Sequence, residues 1–119
     1  MAALTTEEIT SDVSSESSAS IRERVEVARQ IQRERFHRTA IQCNAEMTSR
    51  HMRRACEFDP TSRRLLFAAI ERLGLSARAH DRILKVARTI ADLAGEERVN
   101  TAHVAEAVQY RALDRGYFR

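Results

Sequence analysis

The segment Ser76-Ala77-Arg78-Ala79-His80-Asp81-Arg82 concentrates the side chains best suited to chemistry. Ser76 is a good N-cap for the apolar-periodic stretch that follows, which puts Arg78 in the first helical turn and Arg82 one turn later. The macrodipole at that end favours negative charge, so each cation works against a few tenths to about 1 kcal/mol. Asp81 can partly offset Arg82. An anion such as phosphate would gain from this entrance, because backbone donors, dipole and a guanidinium fork act together. The other reading is an exposed arginine tolerated by solvent, and local physics alone tilts towards it.

Other candidates carry less. Arg22, Arg24, Arg29, Arg33 and Arg35 can face a neighbouring subunit or DNA, but they alternate with Glu23, Glu26 and Glu34, which favours a solvated helix face. His37, Cys43, His51 and Cys56 are metal-ligand types at separations of six, eight and five positions, unlike paired zinc-finger spacings, so no metal site is expected. His103, near a helix start, reads as a neutral surface or capping residue. Tyr110, Tyr117 and Phe118 offer a weak docking surface. The glycines Gly74, Gly95 and Gly116 are isolated, and no glycine-rich loop leads into Lys-Ser or Lys-Thr. No apolar run ends in paired acids. With neither a Walker A nor a Walker B motif, this chain is not expected to hydrolyse ATP by itself, and no catalytic residue is assigned.

The elements that must position these residues are helices. Aromatic residues make up 5%, Trp is absent, and there are three Gly and one Pro in 119 residues, a composition that favours helix over strand. Residues 1–19 are rich in Ser and Thr and read as a flexible tail. Ser20 and Glu23 have capping-box spacing and open an amphipathic helix on Ile21, Val25, Ala28 and Ile31 that ends near Phe36. A weaker helix spans 44–56, with Met47, His51, Met52 and Ala55 on one face. Asp59-Pro60 opens the next, with Leu65, Leu66, Ala69, Ile70 and Leu73 as its stripe and Gly74 as its stop.

The helix capped by Ser76 buries Ala79, Ile83, Val86, Ala87, Ile90, Ala91 and Leu93 or Ala94, and Gly95 ends it. Val99 staples against Val104 around an Asn100 or Thr101 start, with Ala107 and Val108 continuing the face and residues from Asp114 onward fraying. The expected fold is all-α, an antiparallel bundle of four to five helices over residues 20–115, with 116–119 as a C-terminal tail.

Size and charge bound the function. A chain of this length fits one core that buries roughly two-thirds of its unfolded surface. The net charge of +3 mixes twenty basic with seventeen acidic residues, which permits a nucleic-acid role without demanding one. Apolar runs such as 65–70 are too short to span a bilayer, no membrane partner is expected, and a cytoplasmic location with Cys43 and Cys56 as reduced thiols follows.

The stretches 73–93 and 103–111, with Leu113-Asp114-Arg115 and the earlier run from Glu16 to Arg33, closely resemble the end of magnesium-chelatase-like AAA+ ATPases of the competence-associated ComM and YifB type. The resemblance covers roughly residues 16–115. It implies a C-terminal lid in which Ser-x-Arg is similar to the sensor 2 element. Arg78 then reaches the nucleotide phosphate, Ser76 positions the helix and Arg82 assists. Where family members often carry Tyr, this chain has His80, which puts a specific role for that ring in doubt. The resemblance also implies ATP and Mg2+ as cofactors of the intact protein, with none tightly bound to this segment. The implied partners are the AAA+ core of the same polypeptide, neighbouring subunits of a ring, and DNA. Two alternatives stay open: a free-standing basic helical module that binds nucleic acid, with a histone-like helix-strand-helix end, and the lid of a true magnesium chelatase.

Overall fold

The computed structural model describes residues 16–117, with side chains as far as Leu113. Most of the expected N-terminal tail therefore lies outside the described residues. Five α-helices and a 3-10 turn make up the described part: α1 (Ser18–Arg35), the turn Asn44–Glu46, α2 (Ser49–Ala55), α3 (Pro60–Leu73), α4 (Ala77–Leu93) and α5 (Thr101–Tyr117). No strand occurs among the described residues, so the helix-strand-helix ending is not formed there. None of these helices is long and apolar enough to cross a membrane.

Local signals set most helix ends. Asp59 Oδ1 accepts the Ser62 N–H at 2.7 Å ahead of Pro60. Gly74 stops α3 at φ +61°, a left-handed conformation that a Cβ would penalise. Asn100 and His103 form a reciprocal cap on α5: the His103 N–H donates to Asn100 Oδ1 at 3.2 Å and the Asn100 N–H to His103 Nδ1 at 3.0 Å. His103 is buried, a capping residue away from the surface. Two boundaries differ from expectation. Ser17, not Ser20, caps α1: its Oγ accepts the Ser20 N–H at 3.1 Å, so the helix begins three residues upstream and Ser20 lies within its first turn. The 44–56 helix is split, with Met47 bridging the 3-10 turn and α2 in extended backbone.

α4 is the axis of the fold. It packs on α1, the 3-10 turn, α2 and α5, whereas α3 lies chiefly on α5. The core gathers Phe36, Met47, Met52, Cys56, Leu66, Ile83, Ala87, Ala91, Val99 and Val104. The buried face of α4 is rotated from the expected stripe: Leu84, Arg88 and Asp92 point inward with Ile83, Ala87 and Ala91, while Val86 is exposed. Polar groups at 88 and 92 join the buried face, which an apolar-only pattern leaves out, while Ile90 still packs partly buried against the core.

Candidate functional site

At the entrance of α4, Ser76 Oγ accepts the Ala79 N–H at 3.2 Å, and the Ser76 carbonyl accepts the His80 N–H at 3.0 Å. Helix geometry leaves the Ala77 and Arg78 amides directed out of the helix end, where the positive pole of the dipole lies. Arg78 and Arg82 are both exposed and stand four residues apart on one side of α4. Neither makes a hydrogen bond or ion pair with another described residue. Asp81, expected to offset Arg82, sits 3.2 Å from His80 Nδ1 instead. The structure thus brings Ser76, Arg78 and Arg82 to one exposed corner, with two guanidiniums and a capped helix end open to an incoming anion. A shallow groove beside it, about 220 Å³, runs between α4 and α5 along Arg82, Ile83, Val86, Ala107, Tyr110 and Arg111. Val86, Tyr110 and Leu113 leave 40%, 54% and 61% of their surface exposed, more apolar surface than a solvated helix pair requires.

The arginines of α1 divide. Arg22, Arg29 and Arg33 share one face, since at about 100° per residue they fall within about 40° of each other, with Glu26 at the edge of the same face. Arg29 lies 3.8 Å from Glu26, and Arg33 donates to Gln30 at 2.8 Å. Arg24 faces another way and pairs with Glu16 at 2.7 Å. These are exposed, mostly neighbour-paired side chains. Arg35 corrects the sequence reading, because its side chain is 19% exposed and turned into the fold.

There Arg35 makes a two-pronged contact with Asp92, at 2.7 Å from Nη2 and 2.8 Å from Nη1. The Asp92 carboxylate, fully buried, also accepts from Asn44 Nδ2 at 2.8 Å and from Arg88 Nε at 3.1 Å. Arg88 also donates to the carbonyls of Ala55, Glu97 and Glu96 at 3.1, 3.0 and 2.9 Å, and its Nη2 stands in an ion pair with Asp92 at 3.0 Å. Gln32 accepts the Asn44 N–H at 2.9 Å, and Asn44 donates to Thr89 at 3.1 Å. Burial pushes the Asp92 carboxyl up, but the hydrogen bonds from Arg35 and Asn44 and the Arg88 charge outweigh it and hold the group below its ordinary value. Burial draws Arg88 down while Asp92 pulls it back up. The Cys56 thiol, buried nearby, is pushed up to about 11 against the pull of Arg88 and Arg35, so it stays an unreactive thiol. The sequence reading missed this cluster, whose one local trace is the four-residue spacing of Arg88 and Asp92 beside Ile83, Ala87 and Ala91.

The four metal-ligand types scatter. His51 Nδ1 accepts the Thr48 N–H at 3.1 Å, Cys43 lies 3.4 Å from Glu46, and Cys56 Sγ faces the Leu84 carbonyl. No group of three or more His, Cys, Asp or Glu that could hold a metal ion occurs among the described residues.

The family described as magnesium chelatase, subunit ChlI C-terminal, matches residues 15–111. The chain is 46% identical over 100 residues to the competence protein ComM of Haemophilus influenzae, covering 84% of this chain and 19% of that protein. It is 41% identical over 103 residues to the uncharacterized protein YifB of Escherichia coli, covering 87% and 20%. The YifB protein of Salmonella typhimurium is also 41% identical, over 100 residues, covering 84% and 19%. The chain spans about a fifth of the length of the curated relatives it matches.

Proposed function

Because the chain belongs to the magnesium chelatase ChlI C-terminal family, we propose that it serves as the lid of a magnesium-chelatase-like ATPase, with Arg78 contacting the terminal phosphate of ATP. One observation carries this reading: Arg78 is exposed in the first turn of α4, with no protein partner among the described residues, where the dipole alone disfavours a cation. A phosphate at that corner turns the cost into a gain, since the outward amides and the guanidinium then converge on one anion.

In this mechanism Ser76 fixes the first turn, so that Arg78 leaves the helix at a defined angle, and Arg82 adds a second positive charge one turn on. The ATPase core of the same polypeptide supplies the phosphate loop and Mg2+. As charge builds on the phosphate oxygens during hydrolysis, Arg78 holds it, and once the phosphate departs the lid is released to swing as a rigid body against its neighbour in a ring. The competence relative and the Arg22, Arg29 and Arg33 stripe support DNA as what the whole protein acts on.

The test is ATP hydrolysis by the polypeptide that joins this domain to its core, wild type against Arg78→Ala, with nucleotide binding and folding measured in parallel. The expected result is a folded variant that still binds nucleotide and turns over about 100-fold more slowly or worse. Unchanged turnover overturns the assignment. The α1 stripe also favours a second reading, a free-standing nucleic-acid module. That reading requires DNA binding by the 119-residue chain that weakens steeply with salt and with loss of Arg22, Arg29 or Arg33. The family's own description keeps metal insertion as a third, distinguished by assaying metal incorporation into a porphyrin.

A further inference from the structure

On the side of the molecule where α1 ends, a cavity of about 330 Å³ lies beside α2 and the α4–α5 connection, lined by Arg35, Phe36, His51, Arg54, Arg88 and Glu97 among others. Its charge is unbalanced. Three guanidiniums, Arg35, Arg54 and Arg88, meet two carboxylates: Asp92, which pairs with Arg35 and Arg88 behind the cavity, and Glu97, whose residue is exposed. The donors are also incompletely used. Arg88 directs four hydrogen bonds into the fold, but Arg35 commits only its Nη1 and Nη2 atoms, to Asn44 and Asp92, so its Nε–H donates to no described residue. Arg54 is exposed and makes no hydrogen bond or ion pair with a described residue. His51 accepts the Thr48 N–H on Nδ1, which places the proton of its neutral ring on Nε2 and makes that atom a donor. The Phe36 ring, edge-on to His51 with centroids 5.9 Å apart and 5.9 Å from the Arg35 guanidinium carbon, holds both groups in place.

A half-buried excess of positive charge with unspent, forked donors is the environment in which a multivalent oxyanion gains most, because charge-assisted hydrogen bonds strengthen away from bulk water. We propose that this cavity binds a small phosphate-class oxyanion through Arg54, the Nε of Arg35 and the His51 ring, with Arg88 and Asp92 fixing Arg35. The site is separate from the α4 entrance and stands whether or not Arg78 meets ATP.

Inorganic pyrophosphate is the probe, titrated into the 119-residue chain at fixed ionic strength and followed by two-dimensional NMR and by thermal unfolding. Saturable shifts should centre on the backbone of residues 35–39 and 51–55, the melting temperature should rise, and Arg54→Gln should weaken the affinity about tenfold, because it removes one exposed guanidinium and leaves the core untouched. Arg78→Ala should leave these shifts unchanged. Shifts confined to residues 76–82, or an Arg54→Gln variant that binds as tightly as wild type, overturn the proposal. So does a chain that binds a short DNA duplex yet shows no saturable response to pyrophosphate, since its basic surface then serves a polymer and not a small ion.

Discussion

α4 carries arginines at both ends and treats them oppositely. At its start Arg78 and Arg82 stand in solvent without described partners, against the helix dipole. Near its end Arg88 is 3% exposed, and every nitrogen of its guanidinium donates to a protein acceptor. A guanidinium spent on carbonyls and a carboxylate is a fastener: Arg88 ties α4 to α2 and the connection before α5, and the Asp92 it shares with Arg35 ties α4 to α1. A guanidinium left unspent at a helix entrance contributes little to the fold and is free for an outside ligand. Residue type is the same in the two regions, so function follows from what remains unpaired.

The largest effect should come from the buried end. Asp92→Asn leaves Arg35 and Arg88 without a counter-charge in the interior, and removal of one partner from a buried pair typically costs about 3–5 kcal/mol. Urea unfolding checks this, and a loss under about 1 kcal/mol would show that the carbonyls around Arg88 suffice alone. The same carboxylate predicts an acid limb. Its pKa is depressed in the folded chain, so its contribution is fully present above the unfolded carboxylate value of about 4 and is lost as pH falls through the lower folded value. Wild type should therefore lose more stability than Asp92→Asn between pH 5 and the acid limit, each compared with its own value near pH 6. Parallel profiles would mean that Asp92 is not the group responsible.

The contrast also explains what could be read without coordinates. The entrance was legible because its signals are local: Ser76, Gly74 and the spacing of Arg78 follow from capping rules acting over a few residues. Asp59-Pro60 and the Val99, Asn100 and Val104 cap were legible for the same reason. The buried cluster was not, because Arg35 and Asp92 lie 57 residues apart and hydropathy codes both as surface. A reader of periodicity takes Val86 into the core and leaves Arg88 and Asp92 out, which turns the helix by part of a face. Arg35 falls in with Arg22, Arg24, Arg29 and Arg33 for want of any local sign that α1 ends by turning its last side chain inward.

A smaller effect is expected at the cap. Ser76→Ala removes the acceptor of the Ala79 N–H and should cost about 1 kcal/mol, while Ser76→Gly should cost only a few tenths. If Ser76 serves only to aim Arg78, ATP hydrolysis by the intact protein should fall in step with fraying of the first turn, measured by amide exchange at Ala77 to Ala79. A hydrolysis defect with normal protection there would give the hydroxyl a direct part instead.

The smallest stability change should come from the residue proposed to matter most for function. Arg78→Ala removes an exposed cation that opposes the dipole and has no described partner, and alanine is the better helix former, so stability should stay within about 0.5 kcal/mol of wild type or rise slightly. Arg88→Ala, a change of the same residue type ten positions along the same helix, should cost several times more, since it leaves Asp92 with one fewer counter-charge and three carbonyls without donors. Measured side by side by chemical unfolding, the two variants give the comparison its sharpest form. An Arg78→Ala variant destabilised as much as Arg88→Ala would show that Arg78 is engaged in the fold itself, and the case for holding it in reserve for phosphate would be gone.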